Sequence, residues 1–367
     1  MLVGDLYQLP PVISTPEFDA FRRKYASPYF FSARVFRSIR MEVIELTKIY
    51  RQNDADFIEL LNRIRHNCTT SADLERLNQR LNIKFPAEKF CINLTTTNQM
   101  ADTLNREKLN LLEGRSHISQ AVVDGSFSPE YYPVGEQLEF KTGAQIMFLN
   151  NDSKNRWVNG SLGFIEVIKT RDDKVKYVSI RLASNARRVE VFPFSWEIYK
   201  YSLSGTEIIS EVAGSFTQFP FRLAWAVTIH KSQGKTFDNI RLDIGRGTFA
   251  CGQLYVALSR CTSLEGISLV RPLEMRHIFS DDRIVRFMEN CLPPAPGSDS
   301  LVNYLQMAAN THQKIEIDYT KSSGDVSRRI VIPLGIRGEN LCAFCTQRGE
   351  QRSFKLGGIK IIRKINE

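Results

Sequence analysis

The sequence predicts an α/β protein built on a parallel sheet, interrupted by a small β-rich insertion and followed by a β-rich C-terminal module. Three patterns predict this. Apolar strands near residues 90–94, 240–244 and 267–270 alternate with helix-compatible stretches. Between them, residues 136–219 hold short β-rich runs separated by turn signals. Beyond Pro293-Pro294-Ala295-Pro296-Gly297-Ser298, the clearest linker in the chain, apolar and charged residues alternate again.

The 367 residues suggest two to three domains at about 150 residues each. With 43% apolar and 24% charged residues, collagen-like, coiled-coil and disordered readings are excluded. Lys plus Arg number 49 against 40 Asp plus Glu, a net +9 that allows a polyanionic partner without establishing one. No window approaches the ~18 uninterrupted apolar residues of a membrane helix. Met1-Leu2-Val3-Gly4-Asp5 lacks the basic and apolar regions of a signal peptide. The seven cysteines are scattered and odd in number, so a reducing compartment is expected. Cys342 and Cys345 form a lone C-x-x-C that is expected to lie in a strand.

Taken in order, Leu2-Val3 reads as the end of a buried strand leading into Gly4-Asp5 and a rigid Leu9-Pro10-Pro11 loop. A buried parallel strand needs neighbours on both sides, so the strand is expected at an edge, or the chain to begin inside a domain. Phe57, Leu60, Leu61 and Ile64 keep the i, i+3, i+4, i+7 spacing of a helix, with Asp54 and Asp56 at its favourable end. The strand at 90–94 feeds Thr95-Thr96-Thr97-Asn98 and then a helix through Leu104 and Leu111. In the insertion, apolar runs at Leu138 to Phe140, Ile146 to Phe148, Phe164-Ile165, Val175 to Leu182 and Val189 to Phe192 are broken at Asn159-Gly160, Asp172-Asp173 and Ser184-Asn185. This spacing suggests a small barrel or sandwich. A helix at 251–259 separates the last two strands of the α/β part, and five strands are expected between 314 and 362.

The sequence lacks a G-x-x-x-x-G-K-[ST] phosphate loop. Gly234-Lys235-Thr236 matches only its tail, Ile229 stands where the first glycine belongs, and a loop follows where a helix would be needed. What remains reads as the rest of a nucleotide motor. Gly4-Asp5-Leu6-Tyr7-Gln8-Leu9-Pro10-Pro11 sets an Asp and a Gln where α/β sheets bind ligands, and a neutral amide there can orient a water or sense a γ-phosphate. Tyr50-Arg51-Gln52 and Ser259-Arg260-Cys261 each supply a guanidinium able to stabilise charge on a transferring phosphoryl group.

With Thr228-Ile229-His230-Lys231-Ser232-Gln233-Gly234-Lys235-Thr236 between them, and Gly252-Gln253-Leu254-Tyr255-Val256-Ala257-Leu258-Ser259-Arg260 after, the chain resembles superfamily 1 helicases of the RecD-like branch that contains the PIF-type enzymes. The resemblance runs from Leu2 to about Leu273 through five motifs in order. It implies the tail end of a first RecA-like lobe at 1–39, a second RecA-like lobe of P-loop NTPase type at 40–135 and 220–292, an inserted small β-barrel at 136–219 and a linker at 293–300. Gln8, Arg51 and Arg260 would then be catalytic, the two arginines acting as fingers from the second lobe. Asp5, Gln233, Gly234 and Lys235 would lie against the nucleotide. Thr95, Asn98, Thr228, His230 and Lys231 would face DNA, and Trp157, in the Arg156-to-Gly163 motif at the entry to the barrel, would stack on a base or fill the core.

The resemblance implies ATP and Mg²⁺ as cofactors of the complete motor, single-stranded DNA or duplex junctions as partners, and 5′-to-3′ translocation. It also implies roles of the DNA repair, recombination or telomere-maintenance type. A cytoplasmic, bacterial, nucleoid-associated location is expected, with no membrane partner. The family places its phosphate loop and magnesium-binding acids upstream of the residue matching Gly4, so this chain reads as a C-terminal portion. Alone it is not expected to hydrolyse ATP, and an upstream lobe or polypeptide carrying those motifs is a possible partner. Residues 301–367 resemble a WYL domain through Ile315-Glu316-Ile317-Asp318-Tyr319 and 349–356, although the namesake triplet is replaced by Asn340-Leu341-Cys342. Arg328, Arg352 and Lys355 form its candidate nucleic-acid face. The competing class is a non-catalytic nucleic-acid-binding or regulatory module derived from a helicase.

Overall fold

The computed structural model describes residues 1–13, 15–39, 43–46, 48–86, 89–204, 207–291, 299–310, 312–321 and 324–365. The chain divides into two units, Met1–Leu9 with Ile49–Phe279, and Pro10–Lys48 with Ser280–Glu367. The segment expected at 1–39 is thus divided after Leu9, and of the linker expected at 293–300, residues 293–298 lie outside the described residues while 299–300 begin α8. No helix among the described residues is long and apolar enough to cross a membrane. In chain order the α-helices are α1 (Thr15–Arg22), α2 (Ala55–Arg65), α3 (Ser71–Asn78), α4 (Asn98–Asn110), α5 (Ile229–Ser232), α6 (Gln253–Leu258), α7 (Asp282–Cys291) and α8 (Asp299–Asn310).

The α/β part of the first unit holds four parallel strands: β1 (Ile92–Thr95) at the centre, paired with Ala226–Thr228 on one side and Ile240–Asp243 on the other, with Ile267–Leu269 beyond. Ile92, Leu94, Val227, Ile240, Leu242, Ile267 and Leu269 form its core with Phe57, Leu60, Leu61 and Ile64 of α2, so the helix buries the stripe its spacing predicts. Asp54 caps α2, accepting from the amides of Asp56 and Phe57. Thr70 and Asp73 form a reciprocal capping box on α3. Leu2 and Val3 are exposed and belong to no strand. The expected buried strand end is therefore corrected: among the described residues no neighbouring strand bonds to these two.

Between α4 and the strand Ala226–Thr228 the chain forms β2 (His117–Gln120), β3 (Val122–Gly125), β4 (Gln137–Phe140), β5 (Gln145–Phe148), β6 (Leu162–Arg171), β7 (Lys174–Leu182), β8 (Arg188–Val191), β9 (Phe194–Ser204), β10 (Glu207–Gln218) and β11 (Phe221–Leu223). They make three antiparallel sheets, β11-β5-β6-β7-β8, β3-β10-β9 and β2-β4, around one core that includes Phe140, Phe148, Trp157, Phe216, Phe219 and Phe221. The β-rich stretch opens at His117, earlier than residue 136, where β2 and β3 are four residues each and Ala121-Val122-Val123 is too short a run to mark a strand. The Asp172-Asp173 turn joins β6 to β7 with both residues at positive φ, as a tight hairpin requires.

In the second unit, five antiparallel strands in the order 350–355, 340–345, 326–337, 315–320 and 359–364 meet the five expected positions. Leu301, Tyr304, Leu305 and Ala308 of α8 pack on Ile315, Ile317, Val331, Leu341 and Phe354. Cys342 and Cys345 lie in one strand, three positions apart and so on opposite faces, which leaves Cys345 alone buried. A separate aromatic group forms where Phe31 stacks on Phe287 at 4.3 Å and the Tyr29 hydroxyl donates to Asp281.

Candidate active site and nucleic-acid face

Four segments distant in sequence meet near the end of α5 and around α6. The Gly4–Leu9 loop is folded on Asp5, whose carboxylate accepts from the Tyr7 amide at 3.1 Å and from Gln8 Nε2 at 3.2 Å. The same carboxylate meets Arg65 of α2 at 3.4 Å and accepts from the Tyr255 hydroxyl of α6 at 3.4 Å. Gly252 makes this docking possible. It precedes α6 with φ +69°, and a Cβ there would fall 2.2 Å from the Tyr7 carbonyl oxygen and 2.8 Å from that of Gln8. Gln8 Oε1 in turn accepts from Gln233 Nε2 at 3.0 Å, joining this loop to the one that follows α5.

Both candidate fingers converge on that second loop. Arg51 donates through Nε to the Thr236 hydroxyl at 2.9 Å and through Nη1 to the Ser259 carbonyl at 3.1 Å. Arg260, 1% exposed, donates from Nη1 to the Lys235 carbonyl, from Nε to the Val256 carbonyl and from Nη2 to the Ser259 hydroxyl. Buried Gln52 sets the spacing by donating to the carbonyls of Ser259 and Cys261. Burial, then the nearby Arg51 charge, pulls Arg260 down to about 10. Burial also lowers Arg51, and burial pushes the Tyr255 phenol up to about 12. Arg51 and Arg260 thus lie close together near the Asp5 carboxylate, and paired guanidinium groups of this kind suit an anion. Such a pair fits a polyphosphate.

Other site residues fall differently. Lys235 meets the cluster only through its backbone. Its amine turns away to Asn159 Oδ1 at 2.9 Å, and burial followed by Arg222 lowers its pKa. Gly234 holds φ +80° with open space at its Cα. Thr95 and Thr228, expected to grip DNA, are buried at 1% and 5%. The Thr95 hydroxyl donates to the Thr97 carbonyl, and Thr228 caps α5 by accepting from the Lys231 amide. Their correction is from contact to positioning: they fix where Asn98, His230 and Lys231 emerge at the carboxyl ends of the strands. The His230 ring lies nearly parallel to Phe249, 5.9 Å between centroids and 14° between planes. Trp157 is a core residue. It is 6% exposed, stacked on Phe148 at 4.5 Å, with Nε1 donating to Asn150. Its surface neighbour Arg156 is spent on Asp152, whose pKa that bond holds down at about 2.

On the candidate basic face of the C-terminal sheet each cation has a carboxylate neighbour. Arg328 makes a two-pronged pair with Asp318 at 2.8 and 3.1 Å, Arg352 pairs with Glu350, and Lys355 sits 4.0 Å from Glu339. The sequence shows the cations but not that cross-strand register sets Asp318 against Arg328. Sequence reasoning also missed Gln52, Arg65, Thr236, Tyr255 and Phe249. The first four act through polar bonds to residues far along the chain, which no local pattern reveals.

No protein-family model matches the chain. Among curated proteins, it is 29% identical over 306 residues to the ATP-dependent DNA helicase Pif1 of Campylobacter jejuni, covering 80% of this chain and 67% of that protein. It is 30% identical over 290 residues to the protein of the same name from Bdellovibrio bacteriovorus, covering 78% and 60%. Among solved structures, Pif1 helicase from Bacteroides in complex with ADP-AlF3 and single-stranded DNA is similar with a TM-score of 0.62 and 36% identity, over 78% of this chain and 65% of that one. The chain spans 60% to 67% of the length of these relatives. Over 78% of its own length, then, this chain is homologous to PIF1-type superfamily 1 helicases.

Proposed function

We propose that this chain forms the second-lobe side of an ATP-dependent DNA helicase motor that translocates 5′ to 3′ on single-stranded DNA. The observation that carries the reading is the meeting of Gln8, Arg51, Gln233 and Arg260 around one loop pair, where the two guanidinium groups lie close enough to suit a triphosphate. A bound nucleotide, with Mg²⁺ held by acids of another lobe, would supply the phosphoryl transfer that drives movement. Arg51 and Arg260 are poised to offset negative charge there, and Gln8, tied to Asp5 and Gln233, to relay the state of the site toward the Thr95–Asn98 and Thr228–Lys231 segments. In this reading residues 117–223 serve as the small β-barrel of the second lobe and residues 301–367 as a WYL-like module.

The test is to translate the in-frame sequence upstream of Met1, express the protein with and without it, and measure phosphate release with and without single-stranded DNA. The reading expects an upstream phosphate loop and acidic pair, DNA-stimulated turnover by the longer protein and none by the 367 residues alone. Robust turnover by the 367 residues would place the phosphates elsewhere. Absence of turnover from both would favour a non-catalytic nucleic-acid-binding module.

A further inference from the structure

The loop at residues 244–252, between the strand Ile240–Asp243 and α6, ends in an anomaly. Phe249 is 63% exposed although its backbone is firmly held. Its amide donates to Oε1 of Gln253, a residue only 1% exposed, at 3.0 Å. The Thr248 hydroxyl donates to the His277 carbonyl at 2.9 Å, and the Gly252 amide to the Phe279 carbonyl at 3.1 Å. Leaving a large aromatic in water forgoes roughly 1.5–3 kcal/mol of burial, which a ligand covering the ring can recover. One neighbour is the His230 ring, parallel to it within 14°. Burial lowers the His230 pKa, which favours the neutral imidazole that stacks most readily. Exposed cations accompany the pair: Arg246 on the same loop and Lys231 beside His230.

We propose that Phe249, backed by His230, is a stacking platform for one nucleobase of single-stranded DNA, with Arg246 and Lys231 tracking the flanking phosphates. The inference rests on the single-strand-binding reading above and adds to it a residue that grips a base where the others hold the backbone. The loop that carries Phe249 leaves the carboxyl end of the strand Ile240–Asp243 beside the Thr95–Asn98 turn: a Cβ on its Gly245 would lie 3.0 Å from Met100 Sδ, in the first turn of α4. Because every base offers a π-face, such a platform is tolerant of sequence.

The experiment is fluorescence anisotropy with the 367-residue chain, using an oligothymidylate and an abasic strand of equal length and charge, at one fixed low salt concentration. Phe249→Ala should weaken oligothymidylate binding by about 5- to 100-fold while changing abasic-strand binding by less than about twofold. Phe249→Trp should bind oligothymidylate at least as tightly as the wild type. Thermal unfolding of each variant confirms the fold, which an exposed ring is not needed to maintain. Equal affinity of Phe249→Ala and wild type for oligothymidylate, or equal losses on both strands, overturns the platform while leaving strand binding intact. If the wild type binds neither strand, the single-strand-binding reading fails and the platform with it.

Discussion

Gln8 Oε1 and Gln233 Nε2 share a 3.0 Å hydrogen bond that ties the Asp5 loop to the loop after α5, a contact between residues at opposite ends of the first unit's sequence. In the motor proposed above this bond would link the nucleotide side to the helix whose start carries His230 and Lys231. Gln8→Ala is expected to uncouple the two. The shift in single-strand affinity caused by a non-hydrolysable ATP analogue should shrink by about 5- to 100-fold, the range of ordinary coupling energies, with affinity in the absence of nucleotide unchanged. Titrations of labelled single strand with and without the analogue check this.

Asn105 on α4 closes the outer edge of the parallel sheet. Its amide donates to the Ala226 carbonyl and accepts from the Ala226 amide, both at 2.9 Å, as a neighbouring strand would. Asn105→Leu leaves two buried backbone groups unpaired and should cost about 2–4 kcal/mol. Urea unfolding of the two proteins measures it.

Asp73 accepts from Arg63 Nε and Nη2 at 2.9 and 2.6 Å and from the Thr70 amide and hydroxyl. The Arg63 hydrogen bonds hold its pKa down at about 2 from 3.8. A carboxylate depressed in the folded state stabilises above its unfolded pKa, and that contribution fades as pH falls toward 2. Asp73→Asn should therefore be less stable at pH 7 by about 1–2 kcal/mol through the capping box and ion pair. Denaturant unfolding against pH should show the gap narrowing steadily below pH 4.

Trp157 belongs to the core of the β-rich insertion. Trp157→Phe should leave single-strand affinity unchanged, whereas Trp157→Ala should cost about 3–5 kcal/mol of stability. Anisotropy and thermal unfolding on the same two variants separate the outcomes.

Much of this was legible in the sequence, and the boundary is physical. The α2 stripe from Phe57 to Ile64, the strand at 92–95 and the C-terminal strands follow local periodicity, so spacing alone finds them. β2 and β3, four residues each, are too short for periodicity to show. Arg51, Arg260 and Gln8 were recognisable by motif, but that Arg260 would be buried and tied to three acceptors depends on folding at a distance. Phe249 was invisible for another reason: one exposed aromatic in a glycine-rich loop stands out only after its backbone anchors and its ring partner are known.

The proposal turns on whether Arg260, buried and donating to the Lys235 carbonyl, serves the nucleotide side of the site and not the DNA. It is tested most directly by Arg260→Ala in the longer protein proposed above, measuring DNA-stimulated turnover and single-strand affinity side by side. The account predicts turnover lower by about 10³- to 10⁵-fold with affinity nearly unchanged. Unchanged turnover, or a parallel loss of both quantities, would contradict it.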